Sequence, residues 1–485
     1  MNRLLVIGHV LGGLLGLFSL TFVLPLVWSL AVGDGMHPVF IASALICLGA
    51  GLALLVSTRR YRRELQARDG ALLVVLAWFI MTLAAMPPFL VARPDLSVAK
   101  AFFETMAGLT TTGATVLDGL ETLPPSLNLW RHALQWYGGM GIIVLAVAVL
   151  PLLGVGGMQL FKAETPGPMK EGKLTPRITQ TAKGLWLIYV ALTLGCMLAL
   201  KWAGMDWFEA VCHSFSAIAL GGFSTRDASI GAFDSILIEA ILGVFMLAAV
   251  INFATHFVAL RARSARIYLR NLETLATLSV IMGGGLLIAA FLHLAGVFPD
   301  FASALRHALF NTISVATSTG YMGQDYGAWP PFAAFALLFL ACVSASAGST
   351  GGGIKMVRAI VLVKQSTREL ARLLHPRAVM PLTISGQVVE NRVIFAILGF
   401  MLLWGITQVL LAFVLMFGGI DVVSAFSVAV AMVNNLGPAL GEFGPSSNYA
   451  ALSDFQAVLL AVAMLAGRLE LLTFFALLTP AFWRR

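Results

Sequence analysis

The sequence predicts an all-α integral membrane protein: two N-terminal helices, then four repeats, each a helix, a pore helix, a filter loop and a second helix. Of its 485 residues, 59% are hydrophobic and 11% charged, whereas soluble domains average about 25% charged residues. Many apolar runs reach the roughly 20 residues that a helix needs to cross a bilayer. A glycine-bearing motif also recurs four times, so we expect the repeats in a pseudo-fourfold arrangement around one pore.

The N-terminal region, residues 1–70, is predicted to hold two transmembrane helices, near 4–30 and 38–57. The first apolar run is longer than the apolar core of a secretory signal and lacks a clear cleavage site of small residues. We therefore interpret it as a retained helix.

Four pore repeats are predicted to follow, at 71–182, 183–270, 271–390 and 391–485. The long helices that frame them are predicted near 71–92 and 130–153, 183–204 and 233–260, 273–296 and 330–364, and 391–418 and 454–481. The helices between them, near 98–109, 207–219, 301–316 and 421–434, are too short to span a bilayer. This organisation gives ten spanning segments in all.

The distribution of charge predicts the orientation. Basic residues cluster in alternate loops, so by the positive-inside rule these loops and both termini are expected to be cytoplasmic. The clusters are Arg59, Arg60, Arg62, Arg63 and Arg68; Lys162, Lys170, Lys173, Arg177 and Lys183; Arg261, Arg263, Arg266 and Arg270; and Lys355, Arg358, Lys364, Arg368, Arg372, Arg377 and Arg392. Because the net charge of +8 lies largely in these loops, it does not indicate nucleic acid as a partner.

The opposite face carries the acidic residues Asp34, Asp95, Asp118, Glu121, Asp206, Asp227, Asp300, Asp325, Asp421 and Glu442. Such a face would concentrate cations near a pore mouth, or it follows from topology alone. Enzyme function is not expected, because no Cys-x-x-Cys pair, metal-ligand histidine spacing or Ser/His/Asp cluster occurs.

The recurring motif ends in Gly113, Gly222, Gly320 and Gly437, at intervals of 109, 98 and 117 residues. We name the motifs loop 1 (110–113), loop 2 (219–222), loop 3 (317–320) and loop 4 (434–437). Four such loops facing one axis would surround an ion with backbone carbonyls, as in a potassium filter. One loop alone would be better explained by close helix packing through small residues, but four in register with the topology favour a filter.

The third repeat contains a glycine-rich intramembrane segment near 344–353. Gly348, Gly351, Gly352 and Gly353 each cost a helix about 1 kcal/mol relative to alanine, so the segment is predicted to unwind. With Ser349 and Thr350 it would form either a packing kink or a gate under the filter. A nucleotide-binding loop is not favoured, because the required Gly-Lys-Ser/Thr is missing.

Arg468 is predicted near the middle of the bilayer, where a charged residue usually faces an aqueous path or a partner. Glu470 is two positions away and does not share its helix face, so it is a poor partner. Glu239 is a possible one. The sequence therefore leaves a pore-lining arginine and a structural ion pair both open.

As a set, the four motifs, the Ser/Gly-rich break and the late arginine resemble the TrkH-type potassium uptake subunits of the Trk/Ktr/HKT superfamily. The resemblance covers essentially the whole chain, including the two extra N-terminal helices. It implies that potassium is bound by the carbonyls before each glycine. The positions are Thr111, Thr112 and Gly113; Leu220, Gly221 and Gly222; Ser318, Thr319 and Gly320; and Asn435, Leu436 and Gly437, with Thr110 and Thr317 in support.

The same resemblance implies a multi-pass protein of the bacterial inner (plasma) membrane that forms homodimers and is opened by cytoplasmic, nucleotide-binding RCK subunits of the TrkA type. It also places Arg468 beside the permeation path and favours the gate. Loop 2 departs from expectation, because Leu220 and Gly221 supply no hydroxyl. The alternative function is a coupled secondary transporter, such as a sodium- or proton-linked cation symporter, although repeats in that class are usually two and often inverted.

Overall fold

The computed structural model describes residues 2–61, 67–141, 178–343, 345–384 and 387–484. These residues are mostly helical and include almost no strands, which confirms the all-α prediction. The strands among them are β1 (Thr383–Ile384) and β2 (Gln387–Val388), an antiparallel pair with Thr383 opposite Val388.

The two predicted N-terminal helices are present. Helix α1 (Asn2–Phe18) passes through a 3-10 turn (Ser19–Phe22) into α2 (Val23–Val32), and α3 (His37–Ser57) follows. A β-carbon added at Gly12 would lie 2.8 Å from the Gly51 carbonyl oxygen, and one at Gly51 would lie 2.8 Å from the Gly12 oxygen. The two glycines thus permit the close approach that is typical of membrane helix pairs.

The remaining helices follow the order that the sequence predicts. The first repeat contains α4 (Ala67–Ala85), α5 (Pro87–Ala92), α6 (Val98–Leu109) and α7 (Pro125–Trp136). The second contains α8 (Ile178–Trp202), α9 (Trp207–Ala219), α10 (Ile236–Val250), α11 (Phe253–Ala262) and α12 (Arg266–Arg270).

The third repeat contains α13 (Leu272–Leu294), α14 (Phe301–Ala316), α15 (Pro331–Val343) and α16 (Met356–Leu374). The fourth contains α17 (Asn391–Phe417), α18 (Val422–Val433), α19 (Asp454–Arg468), α20 (Leu472–Leu478) and α21 (Pro480–Trp483). The four pore helices of the prediction are therefore α6, α9, α14 and α18.

Two predicted long helices are bent, which corrects the sequence analysis. The predicted helix near 233–260 bends by 93° between α10 and α11, and the one near 454–481 bends by 117° between α19 and α20. The one near 330–364 is interrupted between α15 and α16, where the glycine-rich segment was predicted to unwind. The bend between α19 and α20 arises from the backbone at the break itself. Glu470 and Leu471 both have positive φ values, 58° and 44°, which a right-handed α-helix does not allow.

Among the described residues, six helices are long and apolar enough to cross a membrane, or up to eight if each bent pair is one span. The helix predicted near 130–153 is described only as far as Gly141, and 142–153 lie outside the described residues. Long helices carry large exposed apolar side chains, such as Leu287 (73%) and Phe395 (71%). Apolar exposure on this scale marks surfaces that contact lipid.

Candidate ion-conducting site

Each pore helix begins at a capping side chain and ends at one of the four loops. The caps are Ser97, Asp206, Asp300 and Asp421, whose side chains accept backbone N–H groups of the first helical turn. Three of the acidic residues on the predicted outer face therefore stabilise helix N-termini. The opposite ends of the helices direct their partial negative charge towards the loops.

The four loops share a left-handed residue at one position. The residue two positions before each glycine has a positive φ: 54° at Thr111, 54° at Leu220, 61° at Ser318 and 54° at Asn435. This conformation is uncommon for any residue other than glycine, and an outlier for a β-branched one such as threonine. The four residues that adopt this conformation have chemically different side chains. The repeats therefore share a loop geometry and not a residue type at this position.

The same hydrogen bond ends each pore helix. The N–H of the residue before the glycine returns to the carbonyl five positions earlier in every loop. The pairs are Thr112 to Ala107 (2.9 Å), Gly221 to Ser216 (2.9 Å), Thr319 to Ser314 (2.9 Å) and Leu436 to Ala431 (2.8 Å). This bond pattern is that of a helix ending in a left-handed turn, so each loop leaves its helix in the same direction.

The loops close into a ring. A β-carbon added at each glycine would come within 3.0 Å of the next loop or of the residue that follows it. Gly113 would meet the Gly221 oxygen, Gly222 the Thr319 oxygen, Gly320 the ring of Pro438 directly after loop 4, and Gly437 the Gly113 carbonyl. The contacts run from loop 1 to 2, 3, 4 and back to 1. Only glycine permits this approach, so the sequence motif and the ring geometry explain each other.

One side of the ring opens into a small cavity of about 70 Å³, which is lined by all four glycines. Its charged lining residues are Arg131, Arg226 and Asp227. The Asp227 carboxylate accepts the Gly119 and Leu120 N–H groups, both at 3.0 Å. The charged lining of the cavity is therefore mixed in sign, and the acidic face is compatible with both topology alone and cation steering.

The hydroxyl groups of the loops bond to one another and to neighbouring segments. Thr110 and Thr112 pair through their Oγ1 atoms at 2.7 Å, and Thr317 and Thr319 pair in the same way at 2.7 Å. In loop 4, Asn435 Nδ2 donates to the Met464 carbonyl (2.8 Å). These side-chain hydrogen bonds therefore stabilise the backbone conformation of loops 1, 3 and 4.

Residues 345–355, between α15 and α16, are not helical, as the sequence predicts, and they pack against the ring. Thr350 Oγ1 donates to the Ile218 carbonyl (3.0 Å), and the Gly352 N–H donates to Ser318 Oγ (2.8 Å). A β-carbon on Gly352 would lie within 3.0 Å of the Asn434 oxygen. The segment thus contacts the ends of three pore helices; Ser344 lies outside the described residues.

Arg468 joins the ring to this segment. Its guanidinium donates to Thr111 Oγ1 (3.2 Å), to the Thr350 carbonyl (2.9 Å) and to the carbonyls of Gly138 and Gly139 (both 2.8 Å). The suggestion that Glu239 is its partner is wrong: Glu239 lies 2.7 Å from Arg306. Glu470, which the sequence spacing excluded as a partner of Arg468, forms an ion pair with Arg358.

Sequence reasoning missed the buried polar groups of α6 and α7. Arg131 and Glu104 form an ion pair at 2.9 Å, and both side chains are fully buried. Glu104 also accepts the Val116 N–H (2.9 Å), so the pair supports the chain that leaves loop 1. The available signal was the spacing of Asn128, Arg131, His132 and Gln135 in α7, which puts four polar side chains on one helix face.

The chain is similar to known membrane transport proteins along its whole length. A family model described as "TrkH: Cation transport protein" matches residues 36–483. The Trk system potassium uptake protein TrkH of Halomonas elongata is 45% identical over 478 residues, 98% of either chain. The protein of that name from Escherichia coli K12 is 42% identical over 479 residues, 99% of either chain.

A solved structure is similar in fold as well. The crystal structure of the potassium transporter TrkH from Vibrio parahaemolyticus superposes with a TM-score of 0.89 at 41% identity, covering 99% of this chain and 100% of that one. These similar proteins are named for transport and not for catalysis, in agreement with the expectation from the sequence.

Proposed function

Because the chain belongs to the TrkH family of cation transport proteins, we propose that it takes up potassium across the bacterial inner membrane through the ring of four loops. The observation that carries this proposal is the left-handed backbone at the same position of all four loops. Together with the closed contacts of the glycines, it supports one ring of carbonyl ligands. The helix C-termini that point at the ring add favourable potential for a cation.

The proposed filter consists of the twelve ring residues named by the resemblance. Their carbonyls replace the hydration shell of potassium, while the hydroxyls of Thr110 and Thr317 hold the loops in shape. The four pore repeats, with the boundaries assigned from the sequence, each supply one quadrant. Potassium is thus the transported ion.

The proposed gate is the segment 348–353. Its contacts with Ile218, Ser318 and Asn434 support a position directly against the filter. Arg468 holds the gate closed through the Thr350 carbonyl and places a positive charge beside the ion path. Opening therefore requires that these hydrogen bonds break.

The proposed regulator is a cytoplasmic, nucleotide-binding TrkA-type partner that acts on a homodimer of this chain. The support is the resemblance, together with the position of α16. This helix begins at Met356, three residues after the last gate glycine, and its later turns carry exposed residues such as Leu373 (78%). A partner that moves α16 would pull directly on the gate.

The test is rubidium uptake into potassium-loaded liposomes that contain the purified protein, with and without the cytoplasmic partner. We expect external potassium to compete with rubidium, and sodium and lithium to compete weakly. Uptake that requires a sodium or proton gradient would favour the coupled symporter. Equal competition by sodium, or no flux even with the partner, would overturn the proposal.

A further inference from the structure

Helix α7 presents a buried polar stripe to the chain that follows loop 2. Arg131 donates to the Ser224 carbonyl (3.3 Å), and His132 Nε2 lies 3.1 Å from the Phe223 carbonyl. One turn further, Gln135 Nε2 donates to the Gly221 carbonyl at 2.7 Å. Three carbonyls of residues 221–224 thus have partners on a helix from another repeat.

The amide of Gln135 is fully buried and its orientation is fixed by chemistry. Its Oε1 accepts hydrogen bonds from Ser216 Oγ (2.7 Å) and from the Phe223 N–H (3.2 Å). A backbone N–H can only donate and a carbonyl can only accept. The nitrogen must therefore face Gly221, and the side chain connects the end of α9 to both sides of Gly222.

Loop 2 needs this support because it lacks the side chains that brace the other loops. Loops 1 and 3 are each stabilised by a hydrogen bond between two threonine hydroxyls. Loop 4 is held by the hydrogen bond from the Asn435 amide to the Met464 carbonyl. Loop 2 offers only Ala219, Leu220 and Gly221. The three atoms nearest to a β-carbon added at Gly221 all belong to Gln135, the closest within 3.0 Å. The amide therefore occupies the space where the other loops carry a side chain.

We propose that Gln135 is a positioning residue for ion selectivity, which sets the direction of the Gly221 carbonyl in the ring. The inference rests on the proposed function, since it assumes that the ring is the filter. The Gly221 oxygen is the atom of loop 2 that faces Gly113 of loop 1. A carbonyl held there by a buried donor cannot turn to follow a smaller ion, so the second quadrant keeps a spacing suited to potassium.

The first experiment compares the ratio of rubidium to sodium influx in liposomes for the wild-type protein, Gln135→Leu and Gln135→Glu. Leucine removes the hydrogen bonds at similar volume, and an ionised carboxylate cannot donate to Gly221. We expect the ratio to fall about tenfold in both, the order expected for a lost buried hydrogen bond. The matched control is Gln408→Leu, because Gln408 is also buried (4% exposed) and its Nε2 has no hydrogen-bond partner among the residues that the structure describes.

A second experiment tests the contact itself. Gly221→Ala should abolish selective flux, since its new methyl group collides with the Gln135 amide. Combining it with Gln135→Ala removes that collision and should recover flux at a lower rubidium-to-sodium ratio. The flux of the double variant tests the contact between Gly221 and Gln135 even if Gln135→Leu does not fold.

Two outcomes overturn the inference. The first is a ratio within twofold of wild type in a folded Gln135 variant, and the second is no recovery of flux in the double variant. A wild-type protein that does not prefer rubidium would instead contradict the proposed function, so the two failures are distinguishable.

Discussion

The guanidinium of Arg468 and the carbonyl of Thr350 lie 2.9 Å apart, which connects the last residue of α19 to the segment between α15 and α16. The same guanidinium reaches Thr111 in loop 1. One side chain from the fourth repeat thus couples the ring to the proposed gate.

Replacing Arg468 with Gln should raise partner-independent rubidium uptake, because the gate loses its attachment to the ring. We expect an increase of about tenfold, as for the loss of one charge-assisted hydrogen bond. The measurement is the initial rate of uptake into liposomes, with Arg270→Gln in the exposed helix α12 as the control. If the Arg468→Gln variant does not fold, the role of Arg468 is purely structural and the prediction is contradicted.

Replacing Gly113 with Ala should eliminate selective potassium flux. The added β-carbon would come within 3.0 Å of the Gly221 oxygen, and the residue has a φ of 79°. Gly283→Ala in α13 is the control, because nothing lies within 4 Å of its β-carbon position. Unchanged competition by potassium over sodium in the Gly113 variant would contradict the filter assignment.

Replacing Gly352 with Ala should raise resting flux. Its β-carbon cannot fit against the Asn434 carbonyl, so the segment must move away from the ring. The measurement is rubidium uptake without the partner, compared with Gly399→Ala, whose β-carbon would meet no atom within 4 Å. A silent pore that the partner still opens normally would argue against a gate at this position.

Replacing Glu104 with Ala should destabilise the protein by about 3–5 kcal/mol, because it leaves the charge of Arg131 buried without its partner. The pair is fully buried and its atoms lie 2.9 Å apart. Thermal unfolding in detergent measures the effect, and Glu390→Ala, whose side chain is 71% exposed, is the control. Equal unfolding temperatures for the two variants would show that the ion pair is dispensable.

The sequence predicted the features that follow from residue type and spacing, and it missed those that depend on distant partners. The four glycines, the pore helices and the glycine-rich break were predictable because each follows from residue type and spacing. Gln135 was not, because its partners Ser216 and Gly221 lie more than 80 positions away. The bend between α10 and α11 was missed for a different reason: Ile251 and Asn252 interrupt a continuous apolar run without a proline or glycine to mark the break.

Because the four quadrants of the ring belong to one chain, a single substitution alters one quarter of the proposed ligand set. In a homotetrameric pore the same substitution would alter all four quarters at once. In the present arrangement each quadrant has its own stabilising hydrogen bonds, such as Thr110 with Thr112 in loop 1 and Gln135 with Gly221 in loop 2. In the proposed filter, ion preference can therefore be tuned in small increments, one loop at a time.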